Sequence, residues 1–195
     1  MRSERTTMKN TKEDTEDSIG STDLLCLSGG SNLSFFAGDS VTHKGVTNTW
    51  FTPEYIIKPL GEFDLDPCTQ TFRPYDTAKR HICEDNGEDG LLAPWDGRVW
   101  LNPPYGKSIT PWLDKMAHHG NGIVLVFNRT ETRWAQMALE FCDGVNFLSG
   151  RVAFIPSEPE MRKSRDNAGT GSMLLAFGKE NVESIRVHPG IIFQT

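Results

Sequence analysis

The sequence predicts a three-layer α/β fold on a mixed sheet with an antiparallel edge, and three observations carry that expectation. Strand-like and helix-like apolar segments alternate through the middle of the chain, from Arg98 to Cys142. Gly122-Ile123-Val124-Leu125-Val126-Phe127 is an unbroken apolar run, the pattern of a central strand covered on both faces. Beyond Cys142 the strand-like segments crowd together, which favours antiparallel pairing over further crossovers.

The elements follow in order. Met1 to about Asn32 is rich in Thr, Ser, Asp, Glu and Gly, and reads as a disordered or loosely attached tail, leaving 33–195 as the folded domain. An apolar run at Leu33-Ser34-Phe35-Phe36 can dock the adjoining loop. Thr52 as N-cap and Pro53 in the first turn predict a short helix to about Lys58. Phe63 to Pro67 reads as a strand ending at or before its proline, and 69–90 as a long polar loop. Arg98 to Leu101 is a second short strand, and Ile109, Trp112, Leu113 and Met116 give the next segment a helical face. A helix from Glu131 to Cys142 follows the central strand. Strands are then expected at Val145–Leu148, Val152–Ile155 and Ser172–Phe177, with one more within 183–193.

A length of 195 residues suits one domain with a sizeable core. No stretch approaches the ~20 apolar residues of a membrane-spanning helix, and the first residues hold no apolar signal segment, so a cytoplasmic location is expected. Cys26, Cys68, Cys83 and Cys142 form no Cys-x-x-Cys pair, which points to reduced thiols and no metal. A net charge of −6 argues against a protein that simply coats nucleic acid. The charge is uneven, however. From Arg98 to Arg165 there are 9 Lys and Arg against 6 Asp and Glu, so a basic face remains open.

The sharpest chemical feature is Asn102-Pro103-Pro104-Tyr105. An aromatic amine is a poor nucleophile because its lone pair is delocalised into the ring. A carboxamide oxygen and a backbone carbonyl can each accept one N–H of that amine and stabilise the charge that develops on attack. The Asn102 side chain and the Pro103 carbonyl are the natural pair, held by the stiff prolines, and Tyr105 offers a flat face to a base. The competing reading is a proline-stiffened turn in which Asn102 caps local backbone. Asp66, at the end of its strand beside Pro67, can hold a cationic amine or can be a solvated aspartate, and Asp64 is the second choice. Asp89 can reach a base edge or stand as a loop charge. Arg129, Arg133, Arg151 and the cluster Arg162, Lys163, Arg165 are phosphate candidates, weighed against ordinary solvated positions. There is no Gly-x-Gly-x-x-Gly loop and no Walker loop.

With those residues in hand, the chain resembles the phage-associated Dam-like family of DNA N6-adenine methyltransferases from about Thr49 to Phe177. The blocks that carry the resemblance are Trp50-Phe51-Thr52-Pro53, Phe63-Asp64-Leu65-Asp66-Pro67-Cys68, Trp95 to Gly106, Asn128-Arg129-Thr130-Glu131-Thr132-Arg133-Trp134, Phe147 to Phe154, and Gly171-Ser172-Met173. The resemblance implies a Rossmann-like, S-adenosylmethionine-dependent methyltransferase fold. It implies methyl transfer to the N6 amine of adenine in double-stranded DNA, by direct attack after the base is flipped out. S-adenosylhomocysteine would be the product, and no metal is expected. Asn102, Pro103, Pro104 and Tyr105 take the catalytic places. Thr52, Pro53, Asp64, Asp66, Pro67 and Asp89 take those of the cofactor site. Lys107, Arg129, Arg133, Arg151, Arg162, Lys163 and Arg165 are the expected DNA contacts. One departure stands out: Cys68-Thr69-Gln70-Thr71 replaces the Gly-x-Gly of more standard relatives, and Glu84 and Asp85 are the candidates for the cofactor ribose. The same chemistry on RNA adenine or a protein glutamine amide, or a catalytically decayed DNA-binding module, are the alternatives.

Overall fold

The structure, a computed structural model, describes residues 50–105, 109–156 and 169–194. The expected tail at 1–32, the apolar run Leu33–Phe36, Cys26, and the DNA-contact candidates Lys107, Arg162, Lys163 and Arg165 lie outside the described residues. In chain order the elements are β1 (Trp50–Phe51), α1 (Glu54–Ile57), β2 (Leu65–Thr69), β3 (Arg80–Cys83), β4 (Val99–Leu101) and α2 (Ile109–His119). They continue with β5 (Gly122–Phe127), α3 (Arg133–Phe141), β6 (Gly144–Leu148), β7 (Ile155–Pro156), β8 (Ser172–Phe177), α4 (Lys179–Ile185) and β9 (Gly190–Gln194).

Seven strands form one sheet in the order β3-β2-β4-β5-β8-β6-β9. The first four run parallel, β8 is antiparallel to both β5 and β6, and β9 is antiparallel to β6 at the edge. The mixed sheet and antiparallel edge are as expected, with β8 as an additional antiparallel strand inside. β1 and β7 pair separately, Trp50 with Pro156 and Phe51 with Ile155.

Strand parity sorts the core into two faces. Val99, Leu101, Val124, Val126, Met173 and Leu175 face Ile109, Trp112, Leu113 and Met116 of α2 and Ala135 and Ala138 of α3. Trp100, Ile123, Leu125, Leu174 and Ala176 face Ile56 and Ile57 of α1 and Val182 and Ile185 of α4. Helices on both sides of a buried sheet make three layers. Every residue of β5 and β8 is buried, which explains why both read as unbroken apolar runs.

Local expectations need correction in several places. β2 does not stop at Pro67 but runs through it to Thr69. Its register against β3 shifts between Asp66 and Thr69, and such an irregularity accommodates a residue with no N–H to give. The supposed loop 69–90 contains β3, whose outer residues Arg80 and His81 gave no apolar signal. The first helix begins at Glu54 with Pro53 at its cap position, so Thr52 does not cap it. Of the expected strand at 152–155 only Ile155 falls in β7, and α4 occupies 179–185 ahead of the last strand. Among the described residues no helix is long and apolar enough to cross a membrane.

Candidate active site

β2 and β4 are adjacent and parallel, with Leu65 paired to Val99, so their carboxyl ends open on the same edge of the sheet. That edge is where open α/β sheets bind ligands. Three residues beyond the paired position on each strand stand Cys68 and Asn102, and the Cys68 thiol donates to the Asn102 carbonyl at 3.3 Å.

Asp66 is 4% exposed on β2. Its Oδ2 accepts from Thr77 Oγ1 at 2.5 Å and its Oδ1 from the Cys68 backbone N–H at 3.3 Å. Burial pushes its pKa up to about 6, against the downward pull of both hydrogen bonds and of the Arg73 charge. Cys68 thus touches both halves of the site, and burial and the neighbouring Asp66 carboxylate hold its thiol protonated.

Asn102 follows β4 directly. Its side-chain Nδ2 donates to Thr52 Oγ1 at 3.3 Å, which leaves Oδ1 as the acceptor for an incoming N–H. Thr52 is buried, and its backbone carbonyl accepts from the Tyr75 hydroxyl. Pro53 beside it is also buried. The Thr-Pro step, the Asp-Pro step and the Asn-Pro-Pro-Tyr block are therefore brought to one edge.

Tyr105 is held at both ends of its side chain. Its ring stacks on Phe127 with centroids 4.3 Å apart and 22° between planes, and its hydroxyl accepts from the Phe127 backbone N–H at 3.0 Å. Burial pushes its pKa far up, so it stays a neutral phenol.

Asp89 precedes Gly90, and a side chain at Gly90 would meet the Pro67 carbonyl oxygen at 1.8 Å. Glycine alone allows that approach, which seats the loop against the end of β2. The Asp89 carboxylate accepts from the Leu91 backbone N–H at 2.8 Å, a local turn bond. Asp64 immediately precedes β2, beside Arg98 ahead of β4. It accepts from the Arg98 backbone N–H at 2.8 Å and pairs with Lys79 at 3.0 Å, contacts that hold its carboxyl below the usual range. The structure does not bring the Asp64 carboxylate to the edge that holds Asp66. Glu84 and Asp85 follow β3 at the ligand edge, and Asp85 accepts from the backbone N–H and hydroxyl of Thr71 at 3.0 and 2.9 Å.

The candidate DNA contacts differ in state. Arg129 follows β5 and pairs with Glu131 at 2.6 Å. Arg133 is exposed at the start of α3, whose cap is Thr132. Arg151 is exposed beyond β6 and lines a recess with Tyr55, Ser149 and His188. Cys68, Cys83 and Cys142 are not in disulfides, and among the described residues no three His, Cys, Asp or Glu cluster as a metal site.

Sequence reading missed Thr77, Tyr75 and the role of Cys68. Thr77 and Tyr75 sit in irregular backbone with no periodic signal. Cys68 did carry one, since it follows Asp66 by two positions in a strand and so shares its parity.

The family model described as DNA N-6-adenine-methyltransferase (Dam) matches residues 39–188. No curated protein and no solved structure matches the chain.

Proposed function

The chain belongs to the DNA N-6-adenine-methyltransferase (Dam) family, S-adenosylmethionine-dependent enzymes with a Rossmann-like fold, and on that premise we propose how its own residues carry out the reaction. The target adenine of double-stranded DNA is flipped out of the duplex and received at the Asn102-Pro103-Pro104-Tyr105 block. The observation that supports this most directly is that Asp66 on β2 and Asn102 just beyond β4 stand on neighbouring parallel strands, with Cys68 hydrogen-bonded to both.

Asp66 fits a cationic cofactor group. Its carboxylate is buried, its hydrogen-bond donors are neutral, and no ion pair among the described residues reaches it. An ammonium group would relieve that burial cost. S-adenosylmethionine, when bound, supplies an electrophilic methyl group on a positively charged sulfur. Asp66 holds the amino-acid end, with Thr52, Pro53, Pro67 and Asp89 around the same edge. Of the two acidic residues after β3, Asp85 is engaged by Thr71, so we assign Glu84 to the ribose.

Asn102 Oδ1 and the Pro103 carbonyl each accept one N–H of the adenine N6 amine. The nitrogen lone pair is thereby drawn out of the ring and aimed at the methyl carbon. As the N–C bond forms and the C–S electron pair stays on the sulfur of the bound cofactor, the two acceptors would stabilise the charge on nitrogen until one proton passes to solvent. Tyr105 supplies its ring as a stacking surface for the base. Arg133 and Arg151, with Arg129 released from Glu131, hold backbone phosphates on the same edge.

The deciding experiment is transfer from labelled S-adenosylmethionine to unmethylated duplex DNA, followed by nucleoside analysis. N6-methyladenine in duplex DNA and no label in RNA or protein is expected. Label in RNA or glutamine instead would overturn the substrate, and cofactor binding without any product would overturn the mechanism.

A further inference from the structure

Asn102 is gripped from two directions by residues of other elements. The Cys68 thiol on β2 donates to its backbone carbonyl, and Thr52, ahead of α1, accepts from its side-chain nitrogen, each at 3.3 Å. We propose that Cys68 and Thr52 are positioning residues that aim the two amine acceptors, Asn102 Oδ1 and the Pro103 carbonyl. The inference rests on the reading above that Asn102 receives the target amine.

The Thr52 half of the grip is direct. The bond to Thr52 Oγ1 tethers the Asn102 side-chain amide to a residue that is itself 4% exposed. Thr52 is held in turn, since Tyr75 donates to its carbonyl. This gives Thr52 work on the reacting amine, distinct from any contact with the cofactor.

The Cys68 half acts through backbone rigidity. Asn102 and Pro103 each precede a proline, which confines both to extended geometry, and the φ of both prolines is fixed. The orientation of the Asn102 peptide plane therefore sets that of the Pro103 carbonyl one residue on. A thiol is a weak donor, so its energetic contribution to the fold is small. Geometry is where it counts, because misplacement of about 1 Å at a reacting centre can cost roughly 100-fold in rate. The same residue donates its backbone N–H to Asp66, so the grip ties amine acceptor and cofactor anchor to one short stretch of β2.

The test compares Cys68→Ala, Cys68→Ser, Thr52→Val and Thr52→Ser in the full chain. kcat for duplex DNA at saturating cofactor is measured beside the Kd of S-adenosylmethionine from calorimetry. Cys68→Ala is expected to lower kcat about 10-fold or more with cofactor Kd changed less than about 2-fold, since the lost interaction acts on the reacting amine, and Thr52→Val, at a residue that also borders the cofactor, is expected to lower kcat at saturating cofactor by a similar factor. The hydroxyl-bearing Cys68→Ser and Thr52→Ser should recover most of the rate. Loss confined to cofactor affinity, or a serine variant no better than its alanine or valine counterpart, overturns the inference. Asn102→Ala is run alongside. If it turns over at the parent rate, the underlying assignment of Asn102 fails, whereas an inactive Asn102→Ala with an unaffected Cys68→Ala defeats only the positioning role.

Discussion

Thr77 donates its hydroxyl to Asp66 Oδ2 at 2.5 Å from the loop between β2 and β3, and even so Asp66 keeps a pKa raised to about 6. Burial outweighs the hydrogen bonds, which makes this carboxylate the group that links the site to pH.

Ionised Asp66 is penalised in the folded chain relative to its ordinary value of 3.8. Stability from this group is therefore full below the unfolded pKa and is lost as pH rises through about 6, a change on the order of 3 kcal/mol in the cofactor-free protein. Cofactor binding should run the other way, because an ammonium group wants the carboxylate. Below about pH 6 the affinity for S-adenosylmethionine is expected to weaken roughly tenfold per unit, with uptake of a proton by the released site. Calorimetry between pH 5 and pH 8 in buffers of different ionisation heat measures both. Asp66→Asn should flatten the profile, and a profile unchanged in that variant would rule out Asp66 as the titrating group.

Asn102→Ala should lower kcat by about 100- to 1000-fold, the usual loss when one preorganised group for developing charge is removed. The fold and cofactor affinity should be nearly unchanged, because Asn102 is only half-buried and its side-chain bond is to Thr52. Single-turnover methylation beside thermal unfolding separates the two. A variant with parent-like turnover contradicts the assignment.

Gly90→Ala should destabilise the protein by about 1–3 kcal/mol, since the added methyl would lie 1.8 Å from the Pro67 carbonyl oxygen and 2.8 Å from Trp112. The shift should also move Pro67, and with it Asp66, so cofactor affinity falls together with the urea midpoint. Gly87→Ala is a useful contrast. It adds strain at a left-handed turn but meets no neighbour, so cofactor affinity should hold while stability drops.

What the sequence made legible followed from periodicity and from stiff residues. β5, α2 and β8 fell where apolar spacing put them, because each buries a continuous face. Asn102 to Tyr105 stood out because two prolines exclude regular structure. β3 and the Thr77–Asp66 bond were invisible for the opposite reason. Arg80 and His81 lie on an edge strand formed only through pairing with β2, and Thr77 reaches Asp66 by loop geometry that no local pattern encodes. Pro67 misled because proline normally ends a strand, whereas here a register shift absorbs it. Asp64 shares alternation with Asp66, but its place just ahead of the strand and its contacts with the Arg98 N–H and Lys79 are not encoded in that alternation.

Tyr105 joins structure and recognition in one side chain, and two substitutions pull them apart. Its hydroxyl is an acceptor for the Phe127 N–H, so Tyr105→Phe leaves that buried amide without this partner at a cost of about 1–3 kcal/mol in stability. The ring remains, packed on Phe127, so base capture by Tyr105→Phe should match the parent. Tyr105→Ala removes ring and hydroxyl together and should weaken capture of the flipped base by a further roughly 1–3 kcal/mol of stacking. Urea unfolding reads the first effect, and the fluorescence of a base analogue at the target position reads the second. If Tyr105→Phe impairs base capture as much as Tyr105→Ala while both remain folded, the hydroxyl rather than the ring face meets the DNA, and the stacking role falls.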